Sequence, residues 1–347
     1  IEEIYSILIS LLLILCGPLL SAQELATFRI HPSRIQSAIK LDGLLNEDAW
    51  QNSKALDSFM QASPSQGAKP SYHTEVRILY DDQALYVGII ANDSNGKYIV
   101  SGLQRDHYAR SEDGVSVMLD TYNDKIHAIQ FYTNTAGVRY DAEINDNGSG
   151  LNAAFNTFWE VKTHRSQDGY SVEFKIPFSS LRFQQLPVTV MGFKIVRQIA
   201  SKNEVLIYPS CGKNLGNVAY RISSEGEMEL MNLKSSSPVY VTPYFKSSYL
   251  KKYSLNSSGL AYSSQTEWFS NHHFISNKII DKALSSIGLD AKIGLSKNIT
   301  LDATFNTDFA QAEVDNRIFN YTRYSIFLPE KRQFFLEAND YLNFEMP

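Results

Sequence analysis

Between residues 113 and 144 the chain reads DGVSVMLDTYNDKIHAIQFYTNTAGVRYDAEI, three short alternating runs separated by Asn123-Asp124 and by Asn134–Gly137. Val115, Val117 and Leu119 share one face of the first run, which Asp113 and Asp120 bracket. In the second, Ile126, Ala128 and Gln130 alternate with His127, Ile129 and Phe131. Period-two alternation broken by Asn, Asp and Gly predicts an antiparallel meander. The same pattern recurs on both sides. Glu75–Tyr80 and Leu85–Asn92 predict a hairpin turning at Asp81-Asp82. Tyr170, Val172, Phe174 and Ile176 alternate with Ser171, Glu173 and Lys175, and Pro177 ends that strand because it cannot donate to a ladder. Gly192–Gln198 and Glu204–Tyr208 predict two more strands. Eight or nine strands between Phe28 and Leu233 predict an all-β fold: an immunoglobulin- or jelly-roll-like β-sandwich around one core. Ahead of it, Asp42-Gly43 is a turn and Asn46 an N-cap, with Glu47 and Asp48 in the first turn of a short helix. Trp50 then faces inward and is expected to plug the end of the sandwich, since large aromatics dominate core burial.

Past Ser235–Pro238 the pattern changes. Ile287, Leu289, Ala291, Ile293 and Leu295 alternate with Gly288, Asp290, Lys292, Gly294 and Ser296; Ile299, Leu301, Ala303 and Phe305 alternate with Thr300, Asp302, Thr304 and Asn306. A loop of Ser296–Asn298 pairs Leu295 with Ile299 and sets Lys292 opposite Asp302, a favourable cross-strand pair. Strands that are apolar on one side and charged on the other, joined by a tight turn, suit an antiparallel outer-membrane β-barrel, although one face of a soluble sheet gives the same alternation. Tyr240, Tyr244, Phe245 and Tyr249 add the aromatic enrichment of a membrane interface. The residues after 235 are too few for eight barrel strands of roughly ten residues each, so the chain is expected to be an N-terminal fragment.

The leader and the composition sharpen this reading. Ile7–Leu20 is an apolar run ending in Ser21-Ala22-Gln23, too short to span a bilayer comfortably, and is expected to be a signal-peptide core cleaved near Ala22. Cys16 follows Leu15, not the small residue that lipoprotein processing needs. After cleavage only Cys211 remains, so no internal disulfide is expected, which fits a bacterial envelope. The expected organisation is a signal peptide over 1–22, a sandwich over 23–234 and the start of a barrel over 235–347. With 20 Tyr and 19 Phe the composition is that of an exported β protein. A net charge of −5, without a basic block, argues against nucleic acid as a partner.

Candidate chemistry is sparse. Glu143, Asn145, Asn147 and Gly148 imitate the start of a calcium loop, but Ala154 stands where the closing bidentate carboxylate belongs. Asp141 and Glu143, alternate on one strand, lie about 7 Å apart, within the spacing of an inverting glycosidase pair. His272-His273 point to opposite faces of any strand and cannot easily chelate one metal. Cys211 has no nearby His to activate it, and no G-x-S-x-G, H-E-x-x-H or phosphate loop is present. Glu330-Lys331-Arg332 and Glu337 read as a polar network of a barrel lumen.

Two stretches resemble known families. IKLDGLLNEDAW, EVRILYDDQALYVGIIAND, SEDGVSVMLD and GYSVEFKIPFSSLRF together resemble carbohydrate-binding module family 9, a β-sandwich found on xylan-degrading enzymes and in envelope proteins. ITLDATFNTDFAQAEVDNRIFNYTRYSIFLPEKRQFFLEANDYLNF resembles an uncharacterised outer-membrane barrel family of Bacteroidetes-like bacteria, most specifically over Leu328–Glu337. The first resemblance implies a saccharide held between two aromatic rings with help from an Arg and amide groups. Here the first ring position falls near Arg110, the second near Tyr220 followed by Arg221, and the Arg position near Tyr132, with Asn134 beside it. It also implies calcium in the sandwich, with Asp93, Asp113 and Asp120 as candidate oxygens besides Glu143. The expectation is an exported glycan-binding module fused to a barrel at the cell envelope. Its partners would be a polysaccharide or oligosaccharide and outer-membrane lipid, and no nucleic acid. A glycoside hydrolase of polysaccharide breakdown and a purely structural envelope protein are the alternatives.

Overall fold

The computed structural model describes residues 28–94, 96–153, 155–210, 216–233, 239–245, 248–255, 261–269, 287–296 and 299–306. The leader, Cys211, His272-His273 and the 328–337 segment lie outside the described residues. Strands are β1 (Arg29–Ile30), β2 (Ser33–Arg34), β3 (Met60–Ser63), β4 (Thr74–Tyr80), β5 (Ala84–Asn92), β6 (Gly114–Asp120) and β7 (Ala128–Asn134). They continue as β8 (Tyr140–Asn145), β9 (Gly150–Asn152), β10 (Glu160–Arg165), β11 (Gly169–Pro177), β12 (Val188–Ile199), β13 (Glu204–Tyr208) and β14 (Gly226–Met231). One short helix, α1 (Asp48–Gln51), precedes β3.

Two sheets face one another. The first runs β1-β14-β12-β6-β7-β8-β9, with β13 and β3 continuing from the second half of β12; the other runs β10-β11-β5-β4-β2. The β6–β7–β8 meander and the β4–β5 hairpin form as their alternation predicts, and β6 sits near the centre of its sheet. The strands the pattern misses are β10, β14 and four pieces of two to four residues. Pieces that short carry no readable period; β10, EVKTHR, is mostly exposed and its only buried residue is Val161. Val115, Val117, Leu119 and Phe131 from the first sheet meet Val76, Ile89, Val172 and Phe174 from the second in one core. Trp159 joins it, with ring centroids 5.4 Å from Phe131 and 5.8 Å from Phe174. Arg197 crosses this core at 1% exposure. Its guanidinium donates to Thr74 Oγ1 (2.7 Å), His73 O (3.0 Å) and Asn92 O (2.6 Å), tying β12 to the opposite sheet.

Both sheets are also covered on their outer faces. On the second, the segment before β3 lays Leu45 and Trp50 over Leu79, Ala84 and Tyr86. Trp50 is fully buried as expected, but it packs on this outer face and not at the sandwich end. Glu173 holds it there. Its carboxylate accepts from Trp50 Nε1 (2.9 Å), Gly43 N (2.7 Å) and Asp42 N (2.9 Å). Gly43 has φ +90°, and a Cβ there would meet the Thr163 carbonyl carbon at 2.7 Å, so this turn excludes other residues. The helix cap is Glu47, without a side-chain bond, and not Asn46: the Glu47 carbonyl already accepts from Trp50 N and Gln51 N.

Beyond the sandwich lie β15 (Val239–Phe245), β16 (Ser248–Leu255), β17 (Tyr262–Phe269), β18 (Ile287–Ser296) and β19 (Ile299–Phe305). They pair as β15-β18-β19 and β16-β17. Lys292 lies opposite Asp302 as predicted, but the register shifts beyond Gly294, so Ser296 and not Leu295 faces Ile299.

Removing the Glu173 carboxylate strands three amide and indole donors in a nearly dry site, and each such donor costs about 1–3 kcal/mol. Glu173→Ala is expected to lower unfolding free energy by about 3–5 kcal/mol in urea titrations. A loss below about 1 kcal/mol would show that this clasp does not hold the outer layer.

Candidate functional site

The outer face of the first sheet carries the side chains the inner core does not use: Ser116 and Met118 from β6, Gln130 and Tyr132 from β7, Tyr140 from β8, Lys194 and Gln198 from β12. At one end it is apolar, where Met118, Ala128, Ile144, Val196 and Ile207 are sealed by Val218 and Ile222 from the segment before β14. That segment is held by Lys194, whose buried ammonium donates to Val218 O (3.1 Å), Ser224 Oγ (2.8 Å) and Arg221 O. The same segment brings Tyr220 to the other end of the face.

There four tyrosines gather. Tyr132 lies flat across Gly114, where a Cβ would come within 2.5 Å of its ring, and donates to Glu112 Oε1 at 2.6 Å. Tyr108 meets Tyr132 edge-on at 4.8 Å and stacks on Tyr140 at 5.1 Å and 29°. Its hydroxyl accepts from Gln198 Nε2 (2.8 Å) and is hydrogen-bonded to the Tyr220 hydroxyl. Arg110 places its guanidinium carbon 5.3 Å from the Tyr220 ring centroid. Beneath them Glu112, fully buried, also accepts from Ser101 N and Oγ, both at 3.0 Å, with His107 Nε2 at 3.6 Å. Burial pushes the Tyr140 hydroxyl up to about 12 and raises those of Tyr108 and Tyr132 as well, so these three hydroxyls keep their protons near physiological pH.

Of the residues the sequence singled out, Arg110 and Tyr220 meet at the surface of this cluster. Tyr132 and Asn134 have 0% exposure, so they support the face and do not present themselves to a ligand. The Asn134 carboxamide closes its own turn, accepting from Ala136 N (3.0 Å) and donating to Gly102 O (3.1 Å). Arg221 is half-buried and its carbonyl serves Lys194. Tyr108, Tyr140, Glu112 and Gln198 are missed by the sequence. Tyr140 was within reach, since the meander register sets it directly opposite Tyr132; Tyr108 stands in an irregular loop with no period to read.

The candidate calcium residues divide over separate places. Asp113 and Asp120 lie at opposite ends of β6, about 23 Å apart by strand rise. Asp113 accepts from Ile99 N (2.8 Å) and Ala200 N (3.0 Å), with Asp93 near enough to help raise its pKa, after burial as the main cause. Asp120 accepts from Lys125 N at 2.7 Å and lies near enough to Glu225 to help raise its pKa, while the Lys125 ammonium sits 3.4 Å from Glu225 and 3.2 Å from Glu227. Glu143 accepts from Asn152 (3.1 Å), and Asn147, in the loop that imitates a calcium site, instead accepts from Ser223 N (2.8 Å), docking the segment that carries Tyr220. Among the described residues no group of three or more His, Cys, Asp or Glu could hold a metal ion. The Asp141–Glu143 pair is no glycosidase pair here: Asp141 is fully buried and accepts from Thr157 N (2.6 Å), Trp159 Nε1 (3.1 Å) and Arg105 (3.3 Å), out of reach of a substrate.

The class the fold defines is an all-β two-sheet sandwich with an aromatic cluster on the outer face of one sheet. Residues 41–205 match the family model described as Carbohydrate family 9 binding domain-like. Residues 261–344 match a domain of unknown function, DUF5916. Among solved structures the chain is similar to a family 9 carbohydrate-binding module from Caldicellulosiruptor kristjanssonii in complex with glucose. That match has 23% identity and a TM-score of 0.40, covering 60% of this chain and 97% of that one. The module from the same organism in complex with cellotriose matches at 22% identity and a TM-score of 0.39, covering 60% and 95%. No curated protein matches the chain.

The Asp120–Glu225 pair has a measurable signature. Burial first, and then Asp120, lift Glu225 from 4.5 to about 9. The folded protein therefore keeps a proton that the unfolded chain releases above its ordinary carboxylate range, so this group subtracts stability progressively between about pH 4.5 and about pH 9. Glu225→Gln keeps a donor toward Asp120 and has no proton to lose. Its melting temperature relative to the parent is expected to rise with pH across that window; a gap that does not change with pH would disprove the pairing.

Proposed function

We propose that the sandwich is a glycan-binding module of the cell envelope, and that the Tyr220–Arg110 surface is where the glycan docks. The observation that supports it is the coincidence of two things on one face. The match to the family 9-like model spans 41–205, and on the outer face of that sandwich's first sheet Tyr220, supplied by the segment just beyond the match, lies beside Arg110 above a layer of buried tyrosines. A tyrosine face offers a flat apolar platform for the C–H side of a pyranose, and the arginine offers fixed donors to its oxygens. Binding without chemistry is the reading: of the carboxylates near this face, Glu112 is buried and hydrogen-bonded, and Asp106 is paired with Arg105.

We further propose that β15–β19 begin an outer-membrane barrel. Val239, Val241, Phe245, Leu289, Leu301 and Phe305 share one face of the β15-β18-β19 sheet and are all exposed, with Val239 at 64% and Phe305 at 69%. The opposite face carries Tyr240, Thr242, Tyr244, Asp290 and Asp302, with Thr304 donating to Asp290 at 2.6 Å. An exposed apolar side and a polar opposite side are what lipid outside and a lumen inside require. The exported leader expected at 1–22 leads the same way.

Calorimetric titration of the intact chain with soluble oligosaccharides is expected to give binding that Tyr220→Ala weakens at least about tenfold, roughly 1.4 kcal/mol, with and without a chelator to read any calcium dependence. Sustained glycoside cleavage by the same preparation would replace binding with hydrolysis, and silence across neutral and acidic glycans by a folded protein would leave a structural role. For the barrel, a fluorophore on Val241→Cys is expected to be quenched by lipid-borne quenchers, and one on Thr242→Cys not, in vesicles and with Cys16 and Cys211 replaced by Ser. Equal quenching at both positions would remove the lipid-facing assignment.

A further inference from the structure

We infer that the glycan taken at the Tyr220–Arg110 surface is acidic: a saccharide bearing carboxylates, of the hexuronate class. The inference deepens the glycan-binding reading and rests on it. Its starting point is the charge inventory of the first sheet's outer face and its surroundings. In the sandwich, Arg29, Arg34, Arg77 and Arg105 each pair with a carboxylate. Arg110 forms no ion pair among the described residues, although the protein as a whole carries a net charge of −5. It is exposed, and its one recorded partner is the Tyr220 ring. The next arginine in this region, Arg221, follows Tyr220 directly and likewise makes no side-chain pair among the described residues.

The carboxylates nearest this surface do not neutralise it. Glu112 is buried below the tyrosines and already takes hydrogen bonds from Tyr132, Ser101 and Asn134, with His107 alongside. Asp106 pairs with Arg105. The positive charge of Arg110 reaches into the cluster, where it opposes the rise that burial and Tyr220 impose on the Tyr108 hydroxyl.

Position then selects chemistry. The guanidinium lies over the Tyr220 ring at 5.3 Å, on the surface a sugar would use. A neutral pyranose that stacks there must displace the cation from the ring and return nothing that replaces the lost attraction. A sugar carboxylate meets the guanidinium with two parallel N–H···O bonds, the geometry in which arginine is strongest, while its ring uses the remaining tyrosine surface. The tyrosine layer beneath is locked by hydroxyl and edge contacts, so the pair is presented already ordered.

The test is a titration of the full chain with two oligosaccharides of equal length, an oligogalacturonate and a neutral xylo-oligosaccharide, at low and high salt, with polyglutamate as a sugar-free polyanion. The acidic sugar is expected to bind at least tenfold more tightly than the neutral one, with an advantage that shrinks as salt rises, and polyglutamate not to bind. Arg110→Gln, an exposed change checked by near-UV circular dichroism, is expected to abolish that advantage by weakening the acidic sugar at least tenfold. Arg110→Lys should keep only part of it, and Tyr220→Ala should weaken both sugars. Equal or tighter binding of the neutral sugar, with Arg110→Gln neutral in effect, would overturn the acidic assignment and leave the glycan platform standing. Binding of polyglutamate as tight as that of the uronide would overturn it as bare charge attraction. Binding of neither sugar by folded protein would overturn the platform reading and this inference together.

Discussion

Lys194 stands in the middle of the longest strand with no surface exposed to water, and the organisation of the functional face follows from how its ammonium is satisfied. A buried cation is tolerated only when oxygens replace the water it has lost. Here Val218 O, Arg221 O and Ser224 Oγ do so, all from one segment far along the chain. That segment is thereby drawn down onto the sheet. Its Val218 and Ile222 close over Met118, Val196 and Ile207, which would otherwise face water, and its Tyr220 arrives beside Tyr108. Asn147 supports the same segment from the neighbouring strand end. A polar constraint and an apolar one thus act on the same few residues, and the ligand platform is their by-product.

Covering both faces of each sheet has a second consequence. All seven residues of β6 are buried, yet only Val115, Val117 and Leu119 belong to the inner core; Ser116 and Met118 are buried under the outer layer. The second sheet repeats the arrangement with different chemistry, where Glu173 anchors Trp50 and the Asp42-Gly43 turn. Each outer layer is mostly irregular chain, and in each a buried charged side chain bonds backbone groups that such chain could not satisfy by itself. Arg197 plays the corresponding part between the sheets. Three buried charges therefore fix the relations that apolar packing leaves free to slide, because hydrophobic contact has no direction and hydrogen bonds do.

The aromatic cluster divides labour between depth and surface. Tyr132, Tyr140 and Glu112 are buried below, with the Tyr132 hydroxyl bonded to Glu112; Tyr220 and Arg110 are above, positioned by what lies under them. Sites held this way present rigid groups on what is formally loop, which combines the variability of loops with the accuracy of a sheet.

What the sequence by itself determined is whatever depends on neighbours a few residues away. The meander, the β4–β5 hairpin, the inward set of β11 and the opposition of Lys292 and Asp302 are all periodic or turn-defined, so the alternation and the turn residues were sufficient. Arg110 and Tyr220 were legible as positions in a family pattern, but not as a pair. Only the tertiary structure decided that Tyr108 and Tyr220, 112 residues apart, share a hydrogen bond, and that Tyr132 and Asn134 sink beneath the surface. It likewise decided that Asn147 of the apparent calcium loop accepts from Ser223 N and that Asp141 accepts from an indole. The physical reason is the same each time: a polar side chain takes whichever partner the fold brings within 3 Å, and long-range proximity is set by the packing of whole layers, for which no local pattern in the chain is a substitute.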